Sequence, residues 1–318
     1  MHLRNNNMNV FLTPVKDPNG AWRKVLLSGI EDSPDKKLCN DLQISDVCLI
    51  DTHRSSLEEV EYYRNSCLKH KVPFIGVDYS DEARLKHYVD GFFRFFKRSN
   101  VERINGISKQ LIRRDEGNIY PISYCGRVDF LPIINSNKIY SRDIDISCFF
   151  GSSKNLYRSS LLKHLFGSNK NLNRSSLPQH LFEFNKHNKS VYCHVGLVGE
   201  DGHLGRENPQ VEYVKMLLRS KICVTANPDR WEGDWRFWEA YMTGAFVLID
   251  VMLQPPSNLI RGVDYDFYSN LSDLTSKINL YLKLDHLFSE KQIKKRMDKC
   301  LKHHMPKNRI EYVLDHVR

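Results

Sequence analysis

Nowhere in the 318 residues is there a run approaching the ~18 apolar positions that a membrane-spanning helix needs. The opening stretch, Met1 to Asn9, is polar and lacks the apolar core of a secretion signal. These two absences argue against an anchored or secreted chain, and the expectation is a cytoplasmic protein with no membrane span. Cysteine never occurs as C-x-x-C; the eight thiols stand at positions 39, 48, 67, 125, 148, 193, 223 and 300. Cys48, Cys148, Cys193 and Cys223 lie inside apolar, strand-like runs, so buried free thiols are expected rather than disulfides. Also missing are a Walker loop, a G-x-G-x-x-G, an H-E-x-x-H and a G-x-S-x-G. The motif-based cases for a P-loop enzyme, a dinucleotide oxidoreductase, a zinc protease and an α/β-hydrolase therefore fail.

Acidic residues are in the minority: 38 Asp and Glu against 47 Lys and Arg leave a net charge of +9. An anionic partner follows, which could be nucleic acid, a phosphorylated substrate or an acidic surface. Nucleic-acid binding calls for a continuous basic stripe with exposed aromatics. Here the basic residues are interleaved with acidic ones, and pairs such as Lys97-Arg98 and Arg113-Arg114 are isolated. The densest stretch, Lys291 to Lys302, contains Asp298 and reads as a solvated helix face. No nucleic-acid partner is expected.

What is present suits a globular protein. A hydrophobic fraction of 41% with 27% charged residues excludes general disorder. At roughly 150 residues per domain the length suggests two domains, and 16 Phe, 15 Tyr and 4 Trp supply material for two cores.

The pattern along the chain is strand–helix alternation. Val47-Cys48-Leu49-Ile50 ends in Asp51-Thr52-His53. A helix over Ser56 to His70 follows, capped by Ser55 or Ser56 with Glu58 and Glu59 in its first turn. Pro73 to Val77 then ends in Asp78, completing a βαβ unit and implying a parallel sheet. A helix is expected over Asp81 to Val89, a strand over Gly91 to Phe96 with its Phe residues in the core, a loop or weak helix over Ser99 to Asn118, and a strand over Ile119 to Tyr124. Gly126 to Arg142, with Pro132 and an Asn/Ser cluster, reads as a linker. Residues 1–135 are expected to form an N-terminal Rossmann-like domain and 136–318 a C-terminal one.

The second half opens with a strand, Ile144 to Phe150, running into the turn Gly151-Ser152-Ser153 and a helix near Leu156 to Phe166. A local duplication follows: Asn155 to Lys170 and Asn171 to Lys186 match at 11 of 16 positions. Two copies are too few for a solenoid and are read as two short helices. Strands at Val191 to Val195, Ile222 to Thr225 and Phe246 to Ile249 alternate with helices near Pro209 to Arg219 and Trp235 to Thr243, and Leu271 to Arg318 reads as three helices.

The chemistry concentrates in Ser220 to Asp250. A buried strand ends at Ala226-Asn227, and ligands of open α/β sheets collect at the carboxyl ends of strands. The polar loop Pro228 to Asp234 then opens a helix, whose N-terminus offers free N–H groups to a phosphate. Gly233 permits close backbone approach. Arg236 in the first turn can form paired hydrogen bonds to phosphate oxygens, and Glu239, three residues on, can accept both ribose hydroxyls. Gly244 would end the helix. Spacing alone equally allows a surface helix on which Arg236 and Glu239 simply pair, with Trp235 and Trp238 as packing residues.

This segment resembles the donor-binding motif of GT-B glycosyltransferases, in particular exostosin-like and spore-maturation-type, family-one-like enzymes. The resemblance rests on Arg236-Phe237-Trp238-Glu239-Ala240 and the pair Gly244-Ala245. Asp143 to Gly151, with Arg158 following, is similar to the first strand and turn of such donor domains. His303-His304-Met305-Pro306 to Val317 is similar to their closing helix, which crosses back onto the first domain. The likeness covers roughly residues 143 to 318. It implies an α/β fold of two Rossmann-like domains (GT-B type), with a cleft between them and a helical C-terminal tail. The activity it implies is transfer of a sugar from a nucleotide-diphosphate sugar to a glycan or other hydroxyl acceptor. It assigns donor diphosphate to Arg236 and ribose to Glu239, with Asn227, Gly233, Asp234, Gly151, Ser152 and Arg158 around the donor. No cofactor or metal is expected.

The sequence also departs from that pattern. Many retaining GT-B enzymes carry two Glu with seven residues between, whereas Glu232 and Glu239 have six between. An inverting enzyme needs a base on the first domain. Asp51 and Asp78 are the candidates, with His53, Asp81 and Glu82 close by, though each also fits a cap or turn. A retaining mechanism would need none. Asp143-x-Asp145 has the form of a metal-binding DxD but precedes a strand instead of following one, and His303-His304 read as surface residues. A catalytically degenerate nucleotide- or glycan-binding protein is the first alternative, and a basic nucleic-acid-binding protein the second.

Overall fold

A computed structural model describes residues 7–14, 21–80, 89–98, 100–103, 111–113, 117–137, 141–149, 193–196, 211–227, 234–252 and 255–317. The chain divides into two compact units, one of residues 1–125 with 304–318 and one of residues 126–303.

In the first unit the strands of the main sheet are β1 (Met8–Leu12), β2 (Lys36–Cys39), β3 (Val47–Asp51), β4 (Phe74–Asp78), β5 (Arg94–Lys97) and β8 (Ile119–Pro121). They form one parallel sheet in the order β2-β1-β3-β4-β5-β8. β3 and β4 are buried at every residue, as the unbroken apolar runs of a sheet covered on both faces require. Gly76 in β4 leaves room for a ring, since a Cβ there would come within 2.5 Å of the Phe95 side chain. The helix Leu57–His70 begins where the sequence places it. Ser56 caps it in a reciprocal capping box with Glu59, whose carboxylate accepts the Ser56 N–H at 2.7 Å. Val60, Cys67, Phe74, Phe92 and Phe95 share one core cluster with Cys48 and Ile50.

Several elements of this unit differ from expectation. β1, the helix Ala21–Glu31 and β2 were not anticipated; β2 is a half-exposed edge strand of sequence KKLC, which carries no alternation to read. Within Ser99–Asn118, expected as a loop or weak helix, β6 (Val101–Arg103) and β7 (Leu111–Arg113) pair antiparallel. The strand expected from Gly91 starts at Arg94, behind a short 3-10 turn Val89–Gly91. Residues 81–88, including Asp81 and Glu82, lie outside the described residues.

The helix Pro306–Asp315 belongs to this unit and packs on the helix Ala21–Glu31. Contact is close because Gly29 has no side chain: a Cβ would stand 2.5 Å from Ile310 Cγ1 and 2.8 Å from the Pro306 carbonyl. Arg309 donates to the Ser123 and Tyr124 carbonyls at 2.9–3.2 Å. His304, expected at the surface, is buried beside Arg309, with Nδ1 at 3.4 Å from its Nη2.

In the second unit β9 (Ile144–Phe149), β10 (Cys193–Gly196), β11 (Ser220–Val224), β12 (Phe246–Asp250) and β13 (Tyr265–Tyr268) form a parallel sheet in the order β10-β9-β11-β12-β13. Described helices are Leu131–Ser136, Val211–Arg219, Trp235–Met242, Leu271–Tyr281 and Glu290–His303. The core gathers Ile146, Ile222, Val224, Phe246, Leu248 and Tyr268 with Leu274 and Ile278. The stretch read as a linker is instead structured: a 3-10 turn Val128–Phe130 leads into Leu131–Ser136, and Arg127, Phe130 and Arg142 are buried. On Glu290–His303 Lys291, Lys294, Lys295 and Lys302 are exposed and Lys299 pairs with the buried Asp264, while Arg296 is fully buried among the carbonyls of Gly244, Val263 and Leu287. The Gly151-Ser152-Ser153 turn, Arg158, the 155–186 duplication, Pro209 and the loop 228–233 lie outside the described residues.

Both sheets follow a doubly wound order. In each, sequence-adjacent strands leave in opposite directions from the first strand: between β1 and β3 in the first unit, and between β9 and β11 in the second. Ligands of such sheets sit at that reversal, beyond the carboxyl ends of the strands.

Candidate functional site

In the second unit β11 delivers Thr225, Ala226 and Asn227 to the carboxyl edge, and Asp234 stands at the N-cap position of the helix Trp235–Met242, where its side chain makes no capping hydrogen bond. All eight residues of that helix are buried, so it is not a surface helix. Trp235 and Trp238 pack inside. Arg236 is only 5% and Glu239 only 3% exposed, and they do not pair with each other.

Arg236 faces the edge from the first turn. Its Nη1 lies 3.6 Å from Asp234 Oδ1, beyond hydrogen-bond range, and makes no hydrogen bond among the described residues. Burial works most strongly against its charge, but Asp234, Tyr213 and Glu239 together outweigh it and hold the guanidinium above its ordinary pKa. Asp234 is kept in place by the Thr225 hydroxyl, which donates to Oδ2. Tyr268 in turn donates to the Thr225 carbonyl at 2.7 Å. Asn227 is anchored through its N–H to Asp250 Oδ1 at 2.6 Å. A buried cation with an unsatisfied N–H, beside helix-terminal N–H groups, is an arrangement that accepts an anion.

Glu239 sits one turn further along. Arg127 Nη1 stands 3.1 Å from Oε1, and the Tyr213 hydroxyl donates to Oε2 at 2.7 Å. Arg127 also grips Asp129, at 2.6 and 3.0 Å. Burial depresses the Arg127 pKa, but the two carboxylates outweigh it and push the value up. Burial and the Glu239 charge hold the Tyr213 phenol protonated, well above its usual pKa. Gly244 ends the helix at φ +84°, and the Gly244 and Ala245 N–H groups close on Tyr241 and Ala240. Arg142 donates to the Thr243 carbonyl at 2.6 Å and Arg296 to that of Gly244 at 2.8 Å, so two buried cations meet the negative end of the helix.

Sequence reading missed Arg127, Tyr213 and Asp250. Arg127 was hidden in a stretch whose Pro, Asn and Ser read as a linker. Asp250 alone had a usable signal, a carboxylate at the end of an apolar run. Gly233, Gly151, Ser152 and Arg158 lie outside the described residues. The aspartates of the DxD-like pair are occupied elsewhere, Asp143 by Arg219 at 2.8 Å and Asp145 by Lys221 at 2.6 Å.

In the first unit Asp51 ends β3 and Asp78 ends β4, on adjacent strands. Their surroundings separate them. Asp78 lies 3.5 Å from Lys97, both side chains buried, and accepts the Ser80 N–H at 2.7 Å. Asp51 is 1% exposed and accepts the His53 N–H at 3.0 Å. Burial, reinforced by the Asp78 charge, pushes its carboxyl up to about 6 against the pull of the His53 and Arg54 N–H groups. Asp51 ends β3, which lies next to β1 at the sheet reversal; Thr13, just past the end of β1, donates its N–H to the Leu49 carbonyl. His53 contributes its backbone to Asp51 while its side chain is exposed.

The fold has solved counterparts. HepE from Anabaena in complex with UDP superposes with a TM-score of 0.53 at 9% identity, over 98% of this chain and 99% of that one. An alpha-glucosyltransferase in complex with UDP-glucose and DNA containing an abasic site gives 0.54 at 9% identity, with the same coverage. Sucrose-phosphate synthase from Thermosynechococcus elongatus gives 0.51 at 10%, over 98% and 99%. The chain therefore has the GT-B fold, with two Rossmann-like domains. In sequence, residues 174–315 match the glycosyl transferase-like family profile. No curated protein matches the chain.

Proposed function

We propose that the protein is a glycosyltransferase that moves a sugar from a nucleotide-diphosphate sugar onto a hydroxyl of a glycan or other acceptor. The observation that carries this is Arg236: a buried guanidinium, in the first turn of the helix after β11, whose Nη1 has no hydrogen-bond partner among the described residues. A diphosphate would satisfy it and share the helix N-terminus, with Asn227 and Asp234 shaping the rim and Glu239 accepting the ribose hydroxyls. Cationic side chains and N–H groups then carry the role a metal would otherwise play, and no metal or other cofactor is invoked. The family profile over 174–315 and the UDP and UDP-glucose in two structural counterparts support this reading. So does the exostosin-like and spore-maturation-type pattern Arg236–Ala240.

Asp51 is the proposed base. A carboxyl raised to about 6 is ionised at neutral pH yet basic enough to draw a proton from an acceptor hydroxyl. Asp78, held by Lys97, is proposed to tune Asp51 through its charge.

The test is thermal stabilisation by UDP, GDP, CMP, ADP and their sugar conjugates, on wild type and Glu239→Ala. A ligand at 100 times its Kd stabilises by about 2.7 kcal/mol, which is readily seen. A selective shift for one nucleotide, lost in the variant, supports the reading and names the base. No shift with any of them sinks it. Once the donor is known, glycans and duplex DNA are compared as acceptors. DNA is included because the chain carries +9 and one structural counterpart was captured with it.

A further inference from the structure

Glu239 is held more tightly than ribose binding alone requires. Each carboxylate oxygen already accepts one hydrogen bond, Oε1 from Arg127 at 3.1 Å and Oε2 from Tyr213 at 2.7 Å. Both donors are themselves locked. The Arg127 guanidinium lies 5.0 Å above the Phe130 ring and is forked onto Asp129. The Tyr213 ring is wedged edge-on between Phe130 at 6.0 Å and Phe149 at 5.1 Å. Phe130 thus touches both donors, and Phe149 ends β9, one of the two strands flanking the sheet reversal.

A carboxylate offers about four lone-pair positions, two on each oxygen. With one on each oxygen taken by a fixed donor, the plane of the group is set and one acceptor position remains on each. Two acceptors side by side at fixed orientation match the two adjacent hydroxyls of a ribose. A freely rotating carboxylate would present that pair only part of the time and would bind a single hydroxyl almost as well.

We infer that Arg127 and Tyr213 are positioning residues that orient Glu239 for a vicinal diol, so that the site selects ribonucleotide over deoxyribonucleotide donors. The inference rests on the donor-site reading of Glu239. It gives the 126–130 stretch a place in the donor site and makes Tyr213, not only Glu239, a determinant of specificity.

The experiment measures Kd by calorimetry for UDP, GDP and ADP and for their 2′-deoxy counterparts. It uses the whole chain as wild type, Tyr213→Phe, Arg127→Lys and Glu239→Ala. Wild type is expected to prefer the ribo form of its nucleotide by about tenfold or more, the worth of one hydrogen bond to a charged group. Tyr213→Phe keeps the ring and its packing and loses only the hydroxyl. It should weaken the ribo form about tenfold and leave the deoxy form nearly unchanged, collapsing the preference, and Arg127→Lys should act in the same direction. Equal loss for both forms would mean the pair only helps the site fold, and an intact preference in both variants would mean that Glu239 needs no orienting; either overturns the inference. A preference that survives Glu239→Ala, or no binding to wild type by any diphosphate, removes the donor-site reading itself, and the inference with it.

Discussion

Arg127 and Glu239, 112 positions apart in sequence, form a buried ion pair with Nη1 3.1 Å from Oε1. One partner comes from a stretch that reads as a connector and the other from the motif that reads most clearly as functional. Their meeting ties the helix Trp235–Met242 to the 126–130 stretch by charge.

Arg236 should be indispensable for the diphosphate and costly to remove. Arg236→Ala removes a buried cation 3.6 Å from the Asp234 carboxylate, so the free protein should lose about 3 kcal/mol, on the scale of broken buried pairs. Affinity for the nucleoside diphosphate should fall at least about tenfold, while the weak affinity for the bare nucleoside changes little. Arg236→Lys should restore stability better than affinity, because an ammonium cannot make the forked contact. Denaturant titration and calorimetry on the three proteins decide it. Equal loss for nucleoside and diphosphate would remove Arg236 from the phosphate site.

Asp51 couples activity and stability in opposite directions. Its folded pKa of about 6 lies above the ordinary 3.8. A carboxyl raised on folding contributes most at low pH, and that contribution is lost as pH climbs through the folded value. Asp51→Asn removes the cost of ionising the group. The variant should be more stable than wild type by up to roughly 3 kcal/mol at neutral pH, with the gain vanishing towards pH 4. Its turnover should be lost, whereas wild-type turnover should rise with pH through about 6. A variant that is more stable yet fully active would show that Asp51 takes no proton.

Two glycines with the same backbone should behave differently. Gly244 has φ +84° and Gly262 φ +82°. A Cβ on Gly244 would come within 2.8 Å of Ile293 Cγ2 and 2.9 Å of Arg142 Nη2, whereas on Gly262 it meets only the Tyr281 hydroxyl at 3.9 Å. Gly262→Ala should cost about 1 kcal/mol of backbone strain. Gly244→Ala adds a clash and should cost about 2–4 kcal/mol. Urea melts of both compare them directly, and equal costs would show that the packing yields around Gly244.

Gly29 tests how the final helix is seated. Gly29→Ala drives a methyl into Ile310 and the Pro306 carbonyl. It should destabilise the first unit by about 1–3 kcal/mol. Hydrogen exchange should show lost protection over Val25–Ile30 and Ile310–Leu314, with β11 and β12 unaffected. Uniform loss across both units would contradict the division.

Much of the scaffold is legible in the sequence because it is local. The apolar runs at Val47–Ile50 and Phe246–Ile249 announce buried parallel strands, and Ser56 with Glu59 announces a helix start. These signals lie within a few residues of each other and need no knowledge of the rest of the chain. β2, β6, β7 and β13 escaped because short or half-exposed strands draw their stability from partners, not from their own pattern. His304 escaped for a related reason: it is buried against Arg309, a residue of the following helix, which the local pattern does not reveal.

The alternation of strands and helices, the basic balance and the Arg236–Glu239 spacing on one helix face are local properties, readable along the chain. Tertiary structure alone decided what those residues face. Spacing left open whether Arg236 and Glu239 pair with each other, and the fold answers by giving Asp234 to the first and Arg127 with Tyr213 to the second. It likewise parts Asp51 from Asp78 by placing Lys97 beside only one of them. The physical reason is that a side chain's charge and pKa depend on burial and on neighbours within a few ångströms, and in a doubly wound sheet those neighbours come from distant strands.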